Sequence, residues 1–214
     1  MKVLISAGPT REPIDPVRFV TNRSSGKMGY ALAIAAKSAC HDVCLVSGPV
    51  NLPPPEGIDL IKVETAEEMA KMMKRYAKFA DLIIMSAAVA DYRPKKAFTS
   101  KQKIKKNQRS LSIEFERTED ILASLGKSKR KGQILAGFAA ETEKLIYNAK
   151  KKLIAKNLDW IIANDVSRKD IAFESENNEV VMLSRNGKKV KIPKNSKLKI
   201  ASQIIKIICE DTSP

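Results

Sequence analysis

A period near two and a period near 3.6 take turns along this chain, and each change of spacing marks the edge of an element. Residues 2–7 form a short apolar run that stops at Gly8-Pro9, the pattern of a buried strand entering a loop. Between 26 and 38, Met28, Ala31, Leu32, Ala35 and Ala36 recur at helical spacing. Residues 42–47 and 60–64 read as strands, separated by Gly48-Pro49 and the breaker-rich 53–57. Thr65 with Glu68 has the pattern of a capping box, which opens a helix running to about residue 79. Residues 81–87 are apolar and β-branched enough for a central parallel strand buried on both faces. A polar stretch to about residue 110 leads to a half-buried strand at 111–116 and a short helix at 118–125. A buried strand follows at 134–139, a helix capped by Thr142 reaches about residue 157, and another strand covers 160–163. Residues 180–183 and 190–192, joined through Asn186-Gly187, read as a hairpin with a type I′ turn. An amphipathic helix over 196–209 closes the chain.

This alternation implies an α/β fold, a Rossmann-like doubly wound, mainly parallel sheet with helices on both faces and a C-terminal β-hairpin. No internal repeat or linker divides it, so residues 1–214 read as one domain with a mobile basic loop at about 92–110. Apolar residues at 43% and charged residues at 29% fit a packed globular protein rather than a disordered one. No apolar run approaches the roughly 20 residues of a membrane span, and no signal peptide is legible behind Met1-Lys2. Cys40, Cys44 and Cys209 form no paired framework, which points to a reducing compartment and a cytoplasmic protein. Lone His41 beside Cys40 and Cys44 reads as surface or packing, because ligands on one short strand cannot all face one zinc. The net charge of +15 asks for an anionic partner, either nucleic acid or a phosphorylated small molecule, unless it reflects lysine usage alone.

In a doubly wound sheet ligands bind outside the carboxyl ends of the strands. Three awkward polar segments fall there: 8–27, 87–106 and 137–142. The first carries Asn22-Arg23-Ser24-Ser25-Gly26-Lys27-Met28-Gly29 into a helix, where free backbone N–H groups can receive a phosphate. Equally, Ser24 or Ser25 can simply cap that helix. Neither G-x-x-x-x-G-K-[ST] nor G-x-G-x-x-G is present, which argues against a Walker loop or a standard dinucleotide site. In the third segment Phe138 can pack on a base or ribose, or be core. Asp91, just past a buried strand, can meet ribose hydroxyls or a metal-bound water, or only cap a turn. From Lys95 to Arg109 there are seven cationic residues and no acidic one. That loop is either a lid carrying cations over a triphosphate, a solvated basic loop, or a grip on nucleic acid. Its single aromatic residue, Phe98, makes a poor stacking platform for single strands.

Residues 5–18, reading ISAGPTREPIDPVR, together with Asn22-Arg23-Ser24-Ser25-Gly26-Lys27-Met28-Gly29, closely resemble the opening of the bacterial phosphopantothenoylcysteine synthetase family. The likeness continues through Ala87-Ala88-Val89-Ala90-Asp91-Tyr92-Arg93-Pro94, Lys103-Ile104-Lys105-Lys106, Gly137-Phe138-Ala139-Ala140-Glu141-Thr142 and Ala163-Asn164-Asp165-Val166. These motifs stand in family order from the start to about residue 178.

The resemblance implies a phosphopantothenate–cysteine ligase of coenzyme A biosynthesis. CTP (ATP is less expected) with Mg²⁺ activates the 4'-phosphopantothenate carboxylate as an acyl-nucleotidylate. Cysteine then displaces the nucleoside monophosphate. Carried over by position, Asn22 is expected to stabilise the acyl-nucleotidylate, Arg18 to support cysteine transfer, and Lys103 to serve activation. Gly8, Ser24, Ala87, Ala88, Asp91, Lys103, Phe138 and Lys156 are expected at the nucleotide. Asn22, Arg18, Ala88 and Lys106 are expected at the acyl substrate. No metal ligands are assigned. A homodimer is expected, since the family's substrate site crosses a dimer interface. A flavin-dependent decarboxylase, often fused ahead of this domain, is expected to be absent from this chain and remains a partner. Membrane association is not expected, and nucleic acid is the less favoured alternative.

Overall fold

The computed structural model describes residues 1–95, 103–105, 110–165, 167 and 175–211. The first half of the chain runs β1 (Lys2–Ala7), β2 (Arg11–Pro13), β3 (Phe19–Thr21), α1 (Lys27–Ser38), β4 (Asp42–Ser47), β5 (Asp59–Lys62), α2 (Ala66–Ala77) and β6 (Leu82–Met85). The second half runs β7 (Tyr92–Pro94), β8 (Phe115–Arg117), α3 (Ile121–Lys127), β9 (Ile134–Glu141), α4 (Leu145–Ala155), β10 (Trp160–Asp165), β11 (Asn177–Ser184), β12 (Lys189–Ser196) and α5 (Lys197–Glu210). An eight-stranded sheet in the order β12-β11-β10-β9-β6-β1-β4-β5 organises them. The six strands from β10 to β5 are parallel, and β11 and β12 add an antiparallel edge. The chain winds outward from β1 to β4 and β5, then returns past β1 to β6, β9 and β10. The winding direction therefore reverses between β1 and β6, which places the topological switch point there.

Alternate side chains of the parallel strands build two cores. Val3, Ile5, Leu82, Ile84, Trp160 and Ile162 pack under α1 and α5. Leu4, Ile83, Leu135 and Ile161 pack under α2, α3 and α4. Both faces are covered, which is why these strands read as unbroken apolar runs. Burying one such Ile or Leu contributes about 1.5–3 kcal/mol. Truncating the fully buried Ile84 to Ala is of the kind that costs about 2–5 kcal/mol.

The sheet, the layer order and the long helices agree with the sequence reading, and several local details do not. The Thr65 capping box forms, with the Glu68 N–H donating to Thr65 Oγ1 at 3.2 Å. Thr142 does not cap α4. That helix begins at Leu145 behind Lys144, which takes a left-handed φ of +47° and makes no side-chain cap. Neither Ser24 nor Ser25 caps α1, whose N-cap is Gly26, also left-handed. The closing hairpin is longer than expected and its turn is not type I′. Only Gly187 has positive φ, and its N–H donates to Ser184 O at 3.1 Å across an ordinary turn. The strand expected over 111–116 shrinks to β8, paired with β7 in a small ribbon. A second ribbon, β2 with β3, was not anticipated. His41 faces Cys209 Sγ at 3.4 Å, a packing contact between the start of β4 and the end of α5.

Candidate active site

The loops leaving β1 and β6 are stitched together where a doubly wound sheet usually opens. The buried Ser6 hydroxyl accepts the Ser86 and Ala87 N–H groups at 3.2 and 3.1 Å. The Ala88 N–H donates to Gly8 O at 2.9 Å, and the Ala90 N–H donates to the buried Thr10 hydroxyl at 3.0 Å. Asn22, just past β3, donates its Nδ2 to Ala88 O at 3.0 Å and Val89 O at 3.2 Å. Gly8 supports this junction from below with φ +75°, a conformation that disfavours any side chain.

On one side of the junction lies a cleft lined by Ser24, Gly26, Lys27, Ala87, Ala88, Phe138 and Asn164, among others. Because no side chain caps α1, its first amides are open to this cleft. The positive end of the helix dipole faces the same way, so the cleft suits a phosphate. Gly26 holds φ +76°, and a Cβ there would meet Val50 at 2.6 Å. Gly29 lets the helix lie on β1, since a Cβ there would stand 2.4 Å from that of Ala7. Asn164, nine-tenths buried, lines the far wall. The sequence reading gave Asn164 no role although it lies within a quoted motif.

Across Ala87 and Ala88 a second cleft holds Asp91, Asp120, Phe138, Lys152 and Lys156. Phe138 borders the two clefts and also packs against the α1–α5 core. Lys152 and Lys156 are four residues apart and share one face of α4 at its end. Each is held by a carboxylate: Lys156 by Asp120 at 2.9 Å, Lys152 by Glu141 at 2.6 Å. Burial pushes the Asp120 carboxyl up, but the Lys156 ammonium and the Ala123 N–H prevail and hold it below its usual range. Asp91 is exposed and its carboxylate has no hydrogen bond or ion pair among the described residues. Lys152 was overlooked from sequence because it is one of three consecutive lysines in a helix, and only the fold shows which one turns inward.

The other expected residues gather elsewhere. Asp15, in the turn between β2 and β3, accepts from Arg18 Nε and Nη2 at 3.0 and 2.5 Å and from the Ile104 N–H at 3.1 Å. Arg18 Nη2 also donates to Ile104 O at 3.2 Å. The guanidinium, opposed in part by burial, holds the Asp15 carboxyl well below its ordinary range. Arg18 thus joins the segment containing Lys103, whose side chain is exposed. Neither Arg18 nor Lys103 lines the two clefts on either side of Ala88. Lys106, and the greater part of the basic loop, lie outside the described residues.

Residues 1–212 match the model of the DNA/pantothenate metabolism flavoprotein C-terminal domain. The chain belongs to that family. Members with curated names include the coenzyme A biosynthesis bifunctional protein CoaBC of Bacillus subtilis, 47% identical over 96% of this chain and 50% of the relative. The CoaBC protein of Vibrio cholerae is 44% identical over 98% of this chain and 52% of the relative. The chain therefore spans about half the length of these curated family members. A crystal structure of the C-terminal domain of CoaBC superposes with a TM-score of 0.80 at 42% identity, covering 98% of this chain and 96% of that one. Family membership accounts for the doubly wound sheet with its antiparallel edge. No described helix is long and apolar enough to cross a membrane.

Proposed function

We propose that this chain is a phosphopantothenate–cysteine ligase acting in coenzyme A biosynthesis. The observation that carries the reading is the uncapped start of α1, a phosphate-receiving cleft directly beside the Asn22–Ala88 junction. The family supports it, since the CoaBC relatives are named for coenzyme A biosynthesis.

In this reading the nucleotide, CTP rather than ATP, lies across Ala87 and Ala88 with its phosphates at the α1 amides and its remaining groups between Phe138, Asp91 and Lys156. The 4'-phosphopantothenate carboxylate attacks the α-phosphorus and pyrophosphate leaves. The cysteine amine then attacks the acyl carbon, loses a proton, and the nucleoside monophosphate departs. Asn22, fixed beside Ala88, turns one of its two Nδ2–H donors from the Ala88 and Val89 carbonyls to the acyl-nucleotidylate, an interaction that grows as charge develops. Mg²⁺ would arrive with the triphosphate and supply charge neutralisation there. Among the described residues no three His, Cys, Asp or Glu side chains group as a metal cage. That fits an ion held mainly by substrate phosphates and water, with Asp91 as the free carboxylate nearby.

A homodimer completes the reading. Val17, Tyr92 and Leu111 are about half exposed and Phe115 is 40% exposed, all on or beside the two ribbons, which pack against each other. Arg18 stands on that apolar face, away from its own chain's clefts, as expected of a group that serves a partner's site. Cys40, Cys44 and Cys209, none of them in a disulfide, suit a reducing cytoplasm. The nucleic-acid alternative gains nothing from the family.

The test is pyrophosphate release by the purified chain with Mg²⁺ and 4'-phosphopantothenate, comparing CTP with ATP, with and without cysteine. Release that requires phosphopantothenate and is faster with CTP is expected. No release with either nucleotide from folded protein overturns the reading.

A further inference from the structure

A third hollow of about 740 Å³ opens on the opposite side of the 22–27 turn, between the β2–β3 ribbon and the segment after β4. It shares Ser24, Ser25 and Lys27 with the phosphate-receiving cleft and has Asn22 on its wall. Its charged lining residues are Arg11 and Lys27, with no carboxylate among them. Lys27 is reached from the rim by Glu176, whose side chain is 78% exposed. The Arg11 guanidinium stacks on the Phe19 ring, 4.6 Å from its centroid, and forms no ion pair among the described residues. Glu64 and Glu68 border a neighbouring hollow on the other side of Arg11, yet Glu68 is occupied by the amides at the start of α2.

This contrasts with the other cations near the site. Arg18, Lys152, Lys156 and Lys27 itself are each held by a carboxylate, so Arg11 is the cation of the hollow that stands apart. An arginine fixed by an aromatic ring but left without a counter-ion is a preformed receptor for a planar or tetrahedral oxyanion. A second cation, Lys27, and the hydroxyls of Ser24 and Ser25 complete the hollow.

We infer that the hollow between Arg11 and Lys27 binds the anionic end of a non-nucleotide substrate, with Arg11 as a specificity-determining residue. This rests on the ligase reading. Two groups share the required chemistry: the phosphate of 4'-phosphopantothenate and the carboxylate of cysteine. Either reaches Asn22 from the side opposite the nucleotide.

The experiment uses the full chain and the variants Arg11→Gln, Arg11→Lys and Lys27→Gln, with thermal melting to verify folding. Turnover by the wild type first establishes the ligase reading on its own. Arg11→Gln should then raise KM for one substrate by roughly tenfold or more, the loss expected for a charge-assisted hydrogen bond. Arg11→Lys should recover part of it. If cysteine is the source, replacing it with cysteamine erases the difference between wild type and Arg11→Gln. If phosphopantothenate is the source, replacing it with pantothenate does so. Calorimetric binding of each substrate to wild type and Arg11→Gln reads the same loss without turnover. An active wild type with unchanged KM and affinity for both substrates, or a change confined to the nucleotide, overturns the inference and leaves the ligase reading standing.

Discussion

Around Ala88 the molecule offers two different kinds of hydrogen-bond donor. At the start of α1 the donors are backbone amides, fixed by left-handed Gly8 and Gly26 and by close packing on β1. On α4 and the β2–β3 ribbon the donors are side-chain cations, and they are engaged by Asp120, Glu141 and Asp15. The backbone donors need no rearrangement. The cations must exchange one carboxylate for another anion, so their net contribution is a difference between two similar interactions. Tight binding is therefore expected from the uncharged wall, and selectivity and salt dependence from the charged one.

The comparison is tested most severely at Asn22, which stands where the two walls meet. Asn22→Asp replaces a donor by an acceptor facing Ala88 O and the developing charge. Ligation should fall roughly 100- to 1000-fold, the effect of losing a donor to a reacting centre, while nucleotide binding is retained. A steady-state assay paired with nucleotide titration reads both, and equal activity of variant and wild type removes Asn22 from the mechanism. Next comes the backbone wall itself. Gly26→Ala forces a side chain into a left-handed conformation and against Val50. Stability should drop by about 1–2 kcal/mol and nucleotide affinity by roughly tenfold, a loss of about 1.4 kcal/mol. A urea midpoint unchanged from wild type contradicts the rigid-wall account.

The smallest effect belongs to the charged side. Asp15→Asn weakens the link between the ribbon and the Lys103 segment and should lower Tm by roughly 2–4 °C. Because the folded Asp15 carboxyl titrates well below its ordinary 3.8, its stabilisation is complete above that pH. It is lost progressively as pH falls from there to the folded value. The gap in Tm between wild type and variant should be constant from pH 5 to 8 and close below pH 4. A gap that varies across the neutral range indicates a different group.

The sheet and the backbone wall were legible because burial on two faces leaves apolar runs, and because Gly26 and Gly29 stand where a side chain has no room. The ribbons were not, since three-residue strands with exposed ends carry no periodicity. Their existence depends on the buried Thr10 and Glu12, whose polar groups bond the 87–91 loop and the start of α2. Thr142 and Lys144 illustrate the limit at helix starts. Thr142 is the better capping residue by type, but Lys144 turns left-handed and Leu145 begins the helix. Asn186-Gly187 likewise carries the preference for a mirrored turn, yet a loop of four residues lets Gly187 alone take the positive φ. Asp15 received no role although it lies within a quoted motif, because its link to Ile104, 89 residues on, exists only in the folded chain.

The stitching of Gly8, Thr10, Ala88 and Ala90 has a mechanical consequence. Thr21 donates to Thr10 O at 2.7 Å, so the ribbon is pinned to the same body as the loop after β6. The loop that carries Ala88 and the ribbon whose turn carries Arg18 are thus joined by short hydrogen bonds rather than by a free length of chain.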